Sequence, residues 1–463
     1  MTGARPPAPW AIREIDLASP PPEGLERPEG AGAILLLIRY RGAPLARVRL
    51  TAGETPMSAG ETRRLAAEAA GRAVAEWLSG GAVDRLAPTP AAPRQPREAL
   101  AALAECGDVL DRLEPILAAR RAASTAAEAT IAVCTRGRPQ ELEGCLRALE
   151  GEIAKGREVI VVDNGPDAET ARVAARRPTV RYAPAPRGGL SAARNVALEI
   201  ASGDGVAFVD DDARPEPGWL APLLAAFDRP CVAVVCGFVR PERLDTDAQI
   251  AFETGLGFGG MGFLPLRFDR SFLEGWRWGA PVWNVGAGAN MAVRRLAALG
   301  IGGFDERLGP GAAGGCGDDS EFWRRALHHG YELKYEPLSV SHHRHRVDLE
   351  SLRRQARGYG LGHVTALFAQ YAYARDPRDL ARALVFMPIH AARRALRAGA
   401  DDPAALPFLR GVLAGLGHVR LAARLREQAP TLQAAPFPEA SPRGAARAGA
   451  ENERRRDAVR TSF

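Results

Sequence analysis

Cysteine is scarce in this chain and scattered: Cys106, Cys134, Cys145, Cys231, Cys236 and Cys316 form no Cys-x-x-Cys pair. That spacing excludes a zinc ribbon and argues against a disulfide framework, so buried free thiols in a reducing compartment are expected. Long apolar runs are also missing. The longest uncharged stretch, Gly358 to Ala374, contains His363, Gln370 and several glycines, which is too polar for a membrane span. The N-terminus is Pro-rich and polar where a secretory signal needs an apolar core. Together these absences predict a cytoplasmic protein. There is no zinc-finger spacing and no basic stripe interleaved with aromatics, so nucleic acid is not an expected partner. The net charge of +6 is modest for 463 residues, and arginine supplies nearly all of the positive charge. No internal repeat is visible.

What is present is an ordinary globular composition, 46% hydrophobic and 25% charged, in a chain long enough for two or three domains. Residues 1–30 read as an irregular N-terminus. Residues 31–96 read as a small α+β module with a Pro-rich linker. In it, Ile34–Tyr40 and Leu45–Leu50 are strands joined by a turn at Arg41–Pro44. Ser58 and Glu61 make a capping box for a helix whose apolar face holds Ala70, Ala73, Val74, Trp77 and Leu78. Pro88, Pro90, Pro93 and Pro96 stiffen the linker. A connecting helix is expected over 97–125, an α/β domain over 126–346, a helical region over 347–427, and a disordered tail over 428–463.

From Thr130 the pattern changes. Thr130–Cys134, Glu158–Asp163, Val180–Tyr182 and Val206–Val209 read as strands. Gln140–Glu150, Ala168–Arg176 and Leu190–Ala201 between them read as helices. That alternation predicts a parallel sheet with crossover helices. Asp163 and Asp210 both end strands and should share one edge of the sheet, where α/β proteins bind ligands. Pro215–Phe227 reads as a further helix. Asp210-Asp211-Asp212 places three carboxylates at a strand end. Their mutual repulsion is relieved either by water, in a helix-capping turn, or by a hard divalent cation such as Mg²⁺ or Mn²⁺. A Gly-rich segment, Asn284–Asn290, and a Gly-rich loop, Gly309–Gly317, lead to Asp318-Asp319-Ser320-Glu321. Farther on lies His342-His343-Arg344-His345-Arg346.

Five segments, in order, carry a resemblance to the family 2 glycosyltransferases of GT-A fold. They are Val133–Pro139, Val161–Gly165, Gly188–Asn195, Phe208–Trp219, and a run from Gly288-Ala-Asn290 through Gly302–Glu306 and Asp318-Asp319 to His343. The likeness covers about 130–346, under half of the chain. It implies an α/β, Rossmann-like nucleotide-binding domain, carrying here the small N-terminal module and C-terminal helices. It also implies an inverting enzyme that moves a sugar from a nucleotide-diphosphate donor, UDP- or dTDP-linked, to an acceptor hydroxyl.

On that resemblance, Thr135, Arg138, Asp163 and Asn164 would cradle the base and ribose, with Arg194 beside the nucleotide or diphosphate. Asn164 stands where family members often have a carboxylate. Asp210 and Asp211 would contact ribose or metal, and Asp212 would bind Mn²⁺ or Mg²⁺. His343 would add a metal ligand, with His342 and His345 as close rivals. Asp319 matches the catalytic base. Asp318 holds the neighbouring acidic position, though Asp318-x-x-Glu321 also reads as an N-capping arrangement. Asn290 and Trp283 would shape the acceptor side; Trp276 and Trp278 also offer sugar-stacking faces, or else serve the core. The basic C-terminal helices fit either a cap packed on the catalytic domain or peripheral contact with an anionic membrane, which would suit a lipid-linked acceptor. Two other readings remain open: a nucleotidyltransferase, which usually needs a glycine-rich basic loop after the first strand, and a non-catalytic binding module.

Overall fold

The computed structural model describes residues 8–78, 107–122, 128–185, 187–258, 261–398 and 402–419. The Pro-rich linker and the tail expected beyond residue 428 lie outside these. The N-terminal module is a three-stranded sheet of β1 (Trp10–Asp16), β2 (Ala33–Tyr40) and β3 (Ala43–Thr51). β1 corrects the expectation of an irregular N-terminus. Trp10, Ala11, Ile12 and Ile15 alternate with charged residues there, and the strand pairs in parallel with β2. The β2–β3 turn has positive φ at both Arg41 (46°) and Gly42 (83°), as a two-residue hairpin turn requires. α1 (Ala59–Leu78) starts at the expected capping box: Ser58 N donates to Glu61 Oε2 at 2.8 Å, and Glu61 N donates to Ser58 Oγ at 3.3 Å. α2 (Gly107–Ala122) packs Leu113 and Leu117 into the same core as Trp77 and Ile34. Leu338 of the central α/β domain also enters that core.

The central α/β domain is built on β4 (Ala129–Thr135), β5 (Val159–Asp163), β6 (Val180–Pro184), β7 (Gly205–Asp210), β8 (Ala213–Pro215), β9 (Val232–Pro241), β10 (Leu266–Phe268), β11 (Asn290–Arg294) and β12 (Glu332–His343). The order is β10-β12-β9-β11-β7-β4-β5-β6, with β8 paired to β12. β4, β5, β6 and β7 run parallel; β11 is antiparallel to both β7 and β9. Alternate residues fill opposite cores. Ala132, Cys134, Val206 and Phe208 enter one, and Ile131, Val133, Ala207 and Val209 the other. Burial on both faces explains why these strands are continuous apolar runs. The described cysteines are free, and burial pushes the Cys134 thiol up to about 12.

Crossover helices α3 (Pro139–Ala148), α4 (Ala168–Ala175) and α5 (Leu190–Ile200) fall where periodicity places them. The helix expected over 215–227 is shorter, α6 (Leu220–Ala225), because Pro215 continues β8. α7 (Asp247–Gly255) and α8 (Asp318–His328) flank the sheet. The C-terminal region comprises α9 (Leu349–Ala374), α10 (Pro377–Ala381), a π-helical turn at Arg382–Phe386, α11 (Met387–Ala398) and α12 (Ala405–Leu416). The π turn sits just before Pro388 and absorbs its missing N–H. Among the described residues, no helix is long and apolar enough to cross a membrane.

Candidate active site

Strand register brings the site together. Thr135 lies opposite Asp163, and Cys134 opposite Asp210, so the carboxyl ends of β4, β5 and β7 share one edge. β8 then pairs antiparallel with β12, setting Ala213 opposite His343. Arg344 N donates to Asp212 O at 2.9 Å and closes the junction. As a result, Asp212 Oδ1 lies 3.4 Å from His343 Nε2.

The three adjacent aspartates have different environments. Asp211 is buried, accepting from Thr135 Oγ1 (2.8 Å) and Arg138 Nη1 (2.6 Å); burial, with Asp212 adding, pushes it up to about 7. Asp212 is equally buried, and burial opposes its ionisation. His343, Arg138 and Arg346 nevertheless hold it at about 2. Burial drives His343 down to about 4 despite the Asp212 charge, leaving a neutral imidazole at pH 7. Asp210 sits at the mouth, its side chain 32% exposed, 3.6 Å from Arg194. The three-ligand set Asp210, Asp212 and His343 is therefore corrected. Asp212 and His343 face each other, while Asp210 is drawn toward Arg194. Among the described residues, no group of three or more His, Cys, Asp and Glu is arranged around one metal. One carboxylate and one neutral imidazole still fit a cation whose other positions are filled by phosphate oxygens and water.

The expected donor cradle is rearranged. Arg138 pairs its guanidinium with Asp211 and with Asp212 (2.7 Å) and so braces the acidic cluster. Asp163 is fully enclosed. It accepts from Gly165 N and Tyr182 OH, both at 3.0 Å, and so holds the turn that presents Asn164. Asn164 keeps a buried Oδ1 with no hydrogen-bond partner. Tyr182 and Arg346 are site residues that the sequence does not single out. Arg346 is 3.7 Å from Asp212, and the basic run 342–346 is the only local signal for it.

Arg194 is no surface arginine: it is 2% exposed and enclosed by the Phe208 and Phe304 rings. It pairs with Asp318 at 2.6 Å and donates to Gly288 O at 3.3 Å. Asp318 is thereby removed from the acceptor side. Burial pushes it up, to about 6, against the pull of Arg194. Nor does Asp318 cap α8; Gly317, at φ 98°, is the N-cap residue. Asp319 is only partly buried. Its Oδ1 accepts from Ser320 N (2.7 Å) and its Oδ2 from Gly288 N (3.3 Å). One acceptor-side expectation is corrected. Asn290 is fully buried in β11, where its amide donates to Phe238 O and Ser339 O and ties the sheet together. Trp283 is half-buried; it stacks on His363 at 4.9 Å with the Arg382 guanidinium 4.9 Å from its ring.

Residues 130–298 match the family model described as Glycosyl transferase family 2, and this stretch of the chain is a family 2 glycosyltransferase domain. The chain is 29% identical over 177 residues to the pre-mycofactocin glycosyltransferase of Mycobacterium tuberculosis (strain CDC 1551 / Oshkosh). That match takes in 37% of this chain and 33% of the relative, so the chain spans about a third of the relative's length. It is 40% identical over 121 residues to the succinoglycan biosynthesis protein ExoM of Rhizobium meliloti (strain 1021), covering 24% of this chain and 38% of that protein. Among solved structures, it is similar to the mannosyltransferase PcManGT from Pyrobaculum calidifontis in complex with GDP-Man and Mn²⁺. There the TM-score is 0.40 and the identity 20%, over 66% of this chain and 87% of that one.

Proposed function

We propose that the protein is an inverting glycosyltransferase that moves one sugar from a UDP- or dTDP-sugar to an acceptor hydroxyl. The observation that carries this reading is the clustering of Asp319, Gly288 and Arg194 beside Asp210, at the strand edge that also bears Asp212 and His343. Asp319 takes the acceptor hydroxyl's proton as that oxygen attacks the anomeric carbon, opposite the departing diphosphate. Asp319 is suited to this because it is partly exposed, while its neighbour Asp318 is consumed by Arg194. Asn164 offers its unpartnered Oδ1 to the imide N–H of uracil or thymine. Asp212 and His343 would hold a Mn²⁺ or Mg²⁺ ion, whose positive charge offsets the charge that builds on the leaving diphosphate.

A lipid-linked acceptor belongs to this proposal, supported by the surface of the C-terminal helices. Leu384, Val385, Ile389 and Leu396 are exposed on the C-terminal helices near Arg393 and Arg397, a combination suited to peripheral contact with an anionic membrane. Co-sedimentation with anionic vesicles, and none with neutral ones, is the expected result.

Donor turnover tests the main reading. Purified protein is incubated with a panel of UDP- and dTDP-sugars, with and without Mn²⁺, and both stability and products are followed. A donor that binds the native state raises the melting temperature, and release of nucleoside diphosphate supports glycosyl transfer. Release of pyrophosphate overturns the reading in favour of nucleotidyl transfer. Binding without turnover favours a non-catalytic module.

A further inference from the structure

Among the described residues, the buried arginines are Arg194, Arg240, Arg324, Arg325 and Arg382. All but the last meet a carboxylate. Arg194 pairs with Asp318 at 2.6 Å, Arg240 with Glu14, Arg324 with Asp376 at 3.1 Å, and Arg325 with Glu321 at 2.7 Å. Arg382, in the π-helical turn, is 3% exposed and forms no ion pair among the described residues. Its Nε donates to Trp278 O and Gly279 O, both at 3.0 Å, while its terminal nitrogens have no described hydrogen-bond partner. Asp379 is the carboxylate that acts on it, and Arg324 already holds that group at 3.3 Å. Burial lowers the Arg382 guanidinium to about 10.

An enclosed charge without a counter-ion is costly. Aromatic faces offset part of the cost: Cζ lies 4.9 Å from the Trp283 ring and 4.6 Å from the Phe386 ring. Both rings are half-buried, so this lining reaches solvent. Nor are the terminal nitrogens sealed off. The enclosed side-chain atoms that lack a partner include Arg324 Nε and Arg394 Nη2 but no atom of Arg382. What stays free is the Nη edge, a planar fork that matches a carboxylate or a phosphate through parallel N–H bonds. The place of this fork is defined by His363, which stacks on Trp283 at 4.9 Å with the planes 15° apart. Burial drives His363 down to about 4, while Asp319 pulls it up and Arg382 pushes it down, so both charges lie close to this imidazole. The arginines that act on Asp212 and His343 are Arg138 and Arg346, which leaves Arg382 away from the metal side.

We propose that Arg382 anchors an oxyanion, a phosphate or a carboxylate, carried by the acceptor, with Trp283 and His363 spanning the interval to the hydroxyl beside Asp319. The inference rests on the transfer reading given above and deepens it, because it makes the acceptor anionic. Arg382 touches no reacting atom and is a specificity residue. It and His363 lie beyond the matched stretch 130–298, so the likeness to the family does not reach them. The chain keeps a buried cation unpaired where a neutral side chain could pack, and a ligand that brings its own negative charge completes the pair.

The test uses the full-length protein and small probes of one shape: phenyl phosphate, benzoate and neutral benzyl alcohol. Broadening of the probe's ring-proton resonances reads binding without an acceptor or turnover. The wild type should bind an anionic probe about tenfold or more tighter than benzyl alcohol. Preference for phenyl phosphate assigns the group to a phosphate, and preference for benzoate to a carboxylate. UDP with Mn²⁺ should leave the probe bound. Arg382→Met should abolish the preference, and Arg382→Lys, which keeps the charge without the fork, should retain part of it; melting temperatures check that each variant is folded. A wild type with no preference for either anion overturns the proposal, whether or not Arg382→Met folds. So does a preference that survives in folded Arg382→Met. Displacement of the probe by UDP also overturns it, since the anion then belongs to the donor. If the preference vanishes with Arg382 but no donor is turned over, the transfer reading fails and the anion site stands.

Discussion

Arg194 and Asp318 form an enclosed ion pair, 2.6 Å from Nη1 to Oδ2, immediately before the candidate base Asp319. A buried pair of this kind contributes little net stability, because desolvation offsets most of the attraction. What it supplies is placement. With Asp318 held back, Asp319 is the carboxylate of this turn left beside Gly288.

Breaking that pair from one side should be far more damaging than removing it whole. Arg194→Met leaves the Asp318 carboxylate buried without a partner and should destabilise the protein by about 3–5 kcal/mol in urea unfolding. Adding Asp318→Leu to the same chain should recover much of the loss. Transfer activity should stay low in the double variant, since Asp210 and Gly288 lose the Arg194 contacts.

Asp319→Asn keeps the size of the side chain but cannot take a proton; its single amide oxygen accepts from Ser320 N or from Gly288 N, not from both. Steady-state transfer should fall about 10²–10⁴-fold with nucleotide binding unchanged. An undiminished rate would remove Asp319 from the base role.

Gly288 is needed for close approach. A Cβ there would sit 2.7 Å from Arg194 Nη2 and 3.2 Å from Asp319 Oδ2. Gly288→Ala should therefore displace both groups and lower kcat roughly 10²-fold, with a smaller effect on the donor KM, as expected when a reacting group is moved by a fraction of an ångström to an ångström.

Glu216 gives the pH prediction. Burial opposes its charge, but His342 and Arg39 together hold it down at about 2, against an ordinary value of 4.5. A depressed carboxylate adds stability that is present above the unfolded-state value and lost as pH falls through the folded one. Because the side chain is 21% exposed, the full shift is discounted to about 2 kcal/mol. The wild type should exceed Glu216→Gln by that amount at pH 7. The gap should close between about pH 4.5 and pH 2, as read from denaturant midpoints.

Much of the catalytic domain was legible from local pattern. β4, β5 and β7 are buried on both faces, so each is an apolar run of strand length, and Asp163 and Asp210 mark their ends. The Ser58–Glu61 box fixes the start of α1 because capping is a contact between near neighbours. β1 escaped detection because its alternation of apolar and charged residues is set in a Pro- and Glu-rich segment.

The amino-acid sequence by itself determined the doubly covered sheet, its carboxylate-bearing edge and the identity of the acidic groups, since hydrophobic period and strand-end chemistry are local. Only the tertiary structure decided how those groups are used. Arg138 turned inward to Asp211 and Asp212, Asn290 became a brace between strands, and Asp318 was taken by Arg194. The meeting of Asp212 with His343 depends on which strands lie side by side. A charged side chain takes whichever partner offsets its desolvation, and that partner is set by chain segments far apart in sequence.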